Sequence, residues 1–342
     1  MGVSGACSVA GEGMNVMALQ LRGSLVALVT PFNRQDQVDE PALKRLVEFH
    51  VASGTNGLVP CGTTGESATL SHEEHDRVVE LVVQTARGRI PVIAGTGSNN
   101  TREAIRLTRH AKQVGADAAL LISPYYNKPT QRGLYLHFKA VAEAVDLPIV
   151  PYNIASRTAV NMEPETLARL VADVPNLVAI KESSGNLEQM SRMLQLTNRR
   201  ITLLSGDDAL TLPVLAIGGT GVISVAANLV PKDVAALVSA FEHGKVREAA
   251  GWHDRLLPLI KALFIETNPI PVKTAMGLLG MIEPGLRLPL CDMDGANLEK
   301  LKAALAAYGL RKGQWTDGAA RVAKGASGTA SSKSRRATLR TR

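Results

Sequence analysis

The chain is predicted to fold as a (β/α)8 (TIM) barrel carrying a small C-terminal helical extension, and three observations carry that expectation. From Ser24 onward, short apolar, β-branched runs ending in Gly, Pro, Ser or Thr alternate with amphipathic stretches of helical spacing. The runs are continuously apolar, as expected for strands covered on both faces and therefore parallel. Eight such units over about 200 residues fit a (β/α)8 barrel. A doubly wound parallel sheet is the alternative, but no dinucleotide fingerprint supports it. "GTGSNN" (95–100) is only a short glycine turn after a strand.

The strands are read, in order, in "SLVALVT" (24–30), "GLVPCG" (57–62), "IPVIAGTG" (90–97), "AALLISP" (118–124), "LPIVPYN" (147–153), "LVAIKE" (177–182), "ITLLSG" (201–206) and "GVISV" (221–225). Helices follow, such as "PALKRLVEFHVAS" (41–53) and "HEEHDRVVELVVQTA" (72–86). Ser71 with Glu74 forms a capping-box pattern ahead of the second of these. Residues 22–230 are assigned to the barrel, and 231–310, Ala- and Leu-rich with turns at "NPIPVK" and "EPGLRLPL", to the helical extension.

Two terminal segments stand apart. Residues 1–21 lack both a basic start and a continuous apolar stretch, so they do not read as a signal peptide, and Met14 or Met17 is an alternative start. Residues 311–342 hold nine Lys or Arg and one acid, a charge of +8 against +7 for the whole chain, which leaves the body at −1. That tail is rich in Ser, Thr, Ala and Gly and is expected to be disordered. The basic charge is therefore local, and nucleic-acid binding is not expected of the folded body. With 45% hydrophobic and 20% charged residues the composition is that of a globular protein. No apolar run is long enough to span a membrane. Cys7, Cys61 and Cys291 have no metal-like or redox-like spacing, which suits a reducing cytoplasm.

In barrels of this kind the chemistry sits at the C-terminal ends of the strands. There "VAIKES" (178–183) places Lys181 on an apolar strand. Such a lysine is either paired with a carboxylate at the barrel mouth or desolvated and kept for Schiff-base chemistry with a carbonyl. Strand alternation turns Glu182 to the opposite face. "GTTGES" (62–67) offers backbone N–H groups and the hydroxyls of Thr63 and Thr64, which suit a small carboxylate or phosphate, alongside the simpler reading of a helix start. Tyr125, Tyr126 and Tyr152 are three of only five tyrosines; they are either a proton relay or ordinary core and interface aromatics. Arg157 is placed on a loop to grip a carboxylate in a bidentate manner or to make a surface ion pair. "HEEH" (72–75) has neither the HExxH spacing nor a third ligand for a metal, and no metal site is expected.

Taken in order and spacing, "GTTGES", "SPYYNKP", "YNIASRT", "IKES", "SGDD" and "GVISV" closely resemble the dihydrodipicolinate synthase family of pyruvate-dependent class I aldolases, over about residues 22–310. The resemblance implies that Lys181 forms a Schiff base with pyruvate, whose enamine attacks L-aspartate 4-semialdehyde in the diaminopimelate route to lysine. It implies a relay of Tyr152, Thr63 and Tyr126, the last reaching in from a neighbouring subunit of a homotetramer. Thr63 and Thr64 would take the pyruvate carboxylate and Arg157 that of the semialdehyde, with Gly206 and Ile223 supplying carbonyls near the lysine. No cofactor is implied. Ser67, Ala68, His72, His75, Asn99, Glu103 and Tyr125 match positions where lysine-inhibited members bind L-lysine, with Glu103 for the ammonium and Tyr125 and Asn99 for the carboxylate. One departure is that the family commonly has "YNVPSRT", so Ala155 stands here for a proline and should loosen the loop carrying Arg157. The alternatives are a sugar-acid or neuraminate-type lyase, a hydroxyproline-pathway aldolase, or a non-catalytic homologue working through its basic tail.

Overall fold

Eight short strands form where the apolar runs were read: β1 (Gly23–Ala27), β2 (Gly57–Val59), β3 (Ile93–Gly95), β4 (Ala118–Ile122), β5 (Ile149–Asn153), β6 (Ala179–Glu182), β7 (Thr202–Ser205) and β8 (Gly221–Ser224). The computed structural model describes residues 19 and 21–313. The rest of the N-terminal extension, with Cys7, and the basic tail from residue 314 onward lie outside the described residues. The helices are α1 (Glu40–Ala52), α2 (His72–Ala86), α3 (Thr101–Gln113), α4 (Gln131–Ala144), α5 (Ala155–Thr158), α6 (Pro164–Asp173), α7 (Leu187–Leu196), α8 (Thr211–Ala216), α9 (Pro231–Glu242), α10 (Val246–Leu263), α11 (Ile270–Leu278) and α12 (Gly295–Tyr308). Their starts are set by local side chains. Asp39, Asn100, Thr130, Asn186 and Asp294 each accept a first-turn N–H, satisfying donors that have no intrahelical partner. At α2 the capping box is complete: Ser71 Oγ accepts from Glu74 N, and Ser71 N donates to the Glu74 carboxylate at 3.0 Å.

All strand pairs are parallel, in the order β2-β1-β8-β7-β6-β5-β4-β3, and a parallel bridge between Leu58 and Val92 joins the two end strands into a (β/α)8 barrel. Because successive side chains point to opposite faces, each strand feeds two cores. Leu25, Ile93, Leu120, Val150, Ala179, Leu204 and Ile223 fill the barrel interior. Val26, Leu58, Ala94, Leu121, Ile180, Leu203 and Val222 face the surrounding helices. Burying one such Leu or Ile contributes about 1.5–3 kcal/mol, so the parity of each strand is strongly fixed.

The first apolar run is longer than its strand, for a visible reason. Leu28 N still donates to Val59 O at 3.0 Å, but beyond it the chain is taken up elsewhere: Val29 N donates to Asn228 Oδ1 at 3.2 Å, and the Thr30 side-chain Oγ1 donates to Gly65 O at 2.7 Å. Beyond β8, α9 packs on β1, α10 on α9 and α12 on α10, so the C-terminal helices are bound to the barrel wall. Among the described residues no helix is long and apolar enough to cross a membrane.

Candidate active site

Lys181 occupies the inward parity of β6, two residues after the interior Ala179. Its strand neighbours in register are Tyr152 on β5 and Leu204 on β7. The residue is 6% exposed, and among the described residues its ammonium makes no ion pair or hydrogen bond. Nζ instead stands 4.1 Å from the centre of the Tyr152 ring. Burial pulls its pKa down from 10.5 to about 7; the buried Asp208 carboxylate opposes the shift and the Arg157 guanidinium reinforces it. An ordinary lysine is neutral in about one molecule of 2,500 at pH 7, whereas this one is neutral in roughly half. The carboxylate-paired alternative does not occur. Glu182, on the outward parity, accepts from Asn153 Nδ2 at 2.9 Å and from Ser184 N at 2.6 Å.

Gly206, directly after β7, is required by this lysine. A Cβ there would meet Ser183 Oγ at 2.0 Å and Lys181 Cε at 2.9 Å. Ile223 on β8 lies in the barrel interior, paired in register with Leu25.

The "GTTGES" turn leaves β2 and closes over the barrel mouth. It is bracketed by Cys61 (φ 53°) and Glu66 (φ 52°), two non-glycine residues in the left-handed region. Gly95 makes room for it, since a Cβ there would lie 2.1 Å from Cys61 O. Thr64 is buried and its Oγ1 accepts from Asn268 Nδ2 at 3.0 Å. Thr63 faces the phenol of Tyr152. Burial pushes that phenol's pKa up, and the neighbouring Ser183 hydroxyl, the charge of Arg157 and the neighbouring Thr63 hydroxyl oppose the rise. Arg157 sits on the four-residue α5 and donates to Asn268 O at 3.0 Å. It makes no ion pair among the described residues.

Lys181, Tyr152, Thr63, Thr64, Arg157 and Gly206 thus converge on one mouth, into which a cavity of ≈ 500 Å³ opens, lined by Thr63, Tyr152 and Arg157. Tyr126 is not among them. It is 89% exposed, with φ 69°, and does not line the cavity of its own barrel. The same cavity continues along α2 to Ser67, Ala68, His72, His75, Glu103 and Tyr125. There Glu103 accepts from Ser98 Oγ and lies 2.6 Å from His72 Nε2. Asn99 Nδ2 donates to Tyr125 O at 3.2 Å. His75 is buried against Gly95 O, and burial lowers its pKa, so it is held neutral. Only His72 of the "HEEH" pair is on a solvated face. Among the described residues no group of three or more His, Cys, Asp or Glu is arranged to hold a metal ion.

Sequence reasoning passed over Ser183 and Asn268. Ser183 sits against both Tyr152 and the Gly206 backbone. Asn268 ties the threonine turn to the arginine loop from more than a hundred residues away. The Asn-Pro pair in "NPIPVK" signals a turn but carries no information about its partner.

Comparison with known proteins bears on the same span. The chain matches the Dihydrodipicolinate synthetase family over residues 20–308. It is 59% identical over 289 residues to the 4-hydroxy-tetrahydrodipicolinate synthase of Geotalea daltonii, covering 84% of this chain and 99% of that one. The crystal structure of dihydrodipicolinate synthase from Aquifex aeolicus superposes with a TM-score of 0.84 at 52% identity, over 86% of this chain and all (100%) of that one. The synthase from Cyanidioschyzon merolae, solved with lysine bound, superposes with a TM-score of 0.82 at 42% identity, over 84% of this chain and 98% of that one. The matched span holds all eight strands and every side chain gathered at the mouth of the barrel, and the chain belongs to the dihydrodipicolinate synthetase family.

Proposed function

We propose that this enzyme, a lyase of the class I aldolase type, condenses pyruvate with L-aspartate 4-semialdehyde to 4-hydroxy-tetrahydrodipicolinate on the diaminopimelate route to lysine. The observation that carries the reading is Lys181: a buried, unpaired amine of lowered pKa at a strand end, facing a mouth lined with carboxylate-binding groups. A neutral amine is the nucleophile that Schiff-base formation needs.

Lys181 Nζ adds to C2 of pyruvate, and loss of one water leaves the iminium. A proton then leaves C3, giving the enamine. Its C3 attacks the aldehyde carbon, whose oxygen takes up a proton. The amino group of the semialdehyde next attacks the iminium carbon, closes the ring and releases Lys181. Tyr152, with its hydroxyl facing Thr63, stands where these protons are exchanged. Tyr126, exposed in its own chain, is read as completing the relay in a second copy of the chain, within a homotetramer. Thr63 and Thr64 take the pyruvate carboxylate; Arg157 takes that of the semialdehyde. Gly206 and Ile223 line the lysine's surroundings with backbone. No cofactor enters these steps. The sequence of the mouth favours this substrate pair over a sugar acid, because Arg157 answers to a second, short carboxylate.

L-lysine is read as an effector bound beside α2, where Glu103 offers a carboxylate to an ammonium and His72, Asn99 and Tyr125 stand around it. The lysine-bound relative supports this reading. The chain's working place is read as the cytoplasm.

The deciding experiment is turnover of pyruvate plus L-aspartate 4-semialdehyde, coupled to a reductase that consumes NADPH. Turnover is expected, together with a borohydride-trapped pyruvate adduct that Lys181→Ala abolishes. An adduct that survives Lys181→Ala overturns the lysine assignment, and an adduct without turnover moves the reading to a lyase of another keto acid. In the same assay L-lysine is expected to inhibit, and a curve flat to millimolar concentrations overturns the effector site.

A further inference from the structure

A second lysine lies in an apolar stretch of this chain, and its situation is the opposite of that of Lys181. Lys273, on α11, has a fully buried side chain and ion-pairs with Glu66, whose side chain is also fully buried. Glu66 is the fourth residue of the threonine turn counted from Thr63 and holds a left-handed backbone. Its other carboxylate oxygen accepts from Arg287 N at 3.2 Å. The Lys273 ammonium and the Arg287 guanidinium both lie over the Phe32 ring, at 4.1 and 4.2 Å from its centre. Arg287 then grips both oxygens of Glu74 at 2.6 Å, the residue that closes the α2 capping box, and donates to Thr69 O at 3.0 Å. The turn is therefore fastened at its end by α11 and by the segment that follows it. Two residues before α11 begins, Asn268 fastens its middle through Thr64.

A turn that carries a non-glycine residue at positive φ does not hold that shape by local preference. Something must hold it, and two full-length charged side chains buried from water are an expensive way to do so unless geometry matters. We propose that Lys273 is a positioning residue for substrate recognition: through Glu66 it holds Thr63 and Thr64 where an α-keto acid carboxylate is received, so the C-terminal helices set the affinity of the barrel mouth. This rests on the proposed function, and the proposal is that the tie acts on pyruvate binding rather than on the chemistry of Lys181.

The test uses the full chain and compares the double variant Glu66→Gln/Lys273→Met with Glu66→Gln and Glu66→Ala. The double variant leaves no uncompensated buried charge, so its Tm is expected to stay near wild type while the tie is gone. The expected result is a pyruvate KM raised about tenfold, with kcat and the semialdehyde KM within about threefold, the pattern of lost ground-state positioning. Glu66→Gln keeps an acceptor for Lys273 but removes its counter-charge, so its Tm is expected to fall while the pyruvate KM stays within about threefold, whereas Glu66→Ala raises that KM about tenfold. A double variant with wild-type Tm and a pyruvate KM within twofold of wild type overturns the proposal, because the pair would then be structural only. Equal pyruvate KM values in Glu66→Gln and Glu66→Ala overturn it as well, and that comparison decides the matter if the double variant does not fold. If the wild type forms the pyruvate adduct without turning over the semialdehyde, the functional reading fails. The tie is then read from the pyruvate concentration needed for half-maximal trapping, with the same expected and overturning shifts. No adduct in the wild type overturns both.

Discussion

Lys181 and Lys273 show how the same residue in similar apolar surroundings is turned to two uses by its neighbours. Each is removed from water, which disfavours the ammonium. Lys273 is ion-paired with Glu66; Lys181 makes no ion pair among the described residues and sits over a ring. The consequence for Lys181 is a pH dependence with a definite sign. Its folded pKa of about 7 lies below the ordinary 10.5, so the free amine predominates above about pH 7. The kcat/KM for pyruvate is expected to rise as pH climbs through about 7 and to level off above it. A limb centred near 9 or higher would show that the lysine is not desolvated in solution. The linked stability effect runs the same way. Between about 7 and 10.5 the unfolded chain binds a proton that the folded chain does not, so stability rises with pH there, and the penalty is fully present below about 7.

At the scale of elements, the short α5 carries Ala155, the residue the resemblance sets against a proline. Ala155 is its first residue, and the preceding Ile154 has φ −147° and ψ 79°, outside the helical region that a following proline disfavours. The first helical position tolerates proline because its N–H has no intrahelical acceptor, and a residue before proline favours an extended backbone. Ala155→Pro is therefore expected to stabilise the fold by about 0.4–1 kcal/mol in urea unfolding, chiefly by restricting the unfolded chain. Holding Arg157 more firmly is expected to lower the semialdehyde KM about twofold, by reducing the ordering that binding must impose. Lower stability, or a raised KM, would show that α5 does not accept a fixed φ at this position.

For the whole molecule, Tyr126 is the residue that one chain does not explain. A tyrosine at φ 69° costs about 1–2 kcal/mol over an ordinary backbone, and here the ring is spent on solvent. An assembly in which it enters a neighbour's barrel gives that strain a purpose. Co-refolding Lys181→Ala with Tyr126→Phe chains tests this. Each is expected to be impaired alone, but mixed pairs assemble a site with an intact lysine and an intact tyrosine. Random pairing restores about one quarter of the sites. Activity no greater than the sum of the two parents would place Tyr126 outside the relay.

What the sequence determined by itself is whatever depends on local period and local chemistry. The run "LVAIKE" placed Lys181 and Glu182 on opposite faces because side chains alternate along a strand, and the structure has them so. Ser71 and Glu74 marked the start of α2 because their bonds close within one turn. All eight strands were legible for the same reason, with their ends off by a few residues where, as after Ala27, a distant side chain takes over the backbone. The lysine on an apolar strand could be noticed, but not resolved into paired or free, because desolvation and charge are sums over groups remote in the chain. Only the tertiary structure decided that no carboxylate among the described residues forms an ion pair with Lys181, that Asn268 joins Thr64 to Arg157, and that Glu66 is met by a lysine 207 residues later. Pairings of that kind arise from how helices pack on a closed barrel, and no period in the sequence records them.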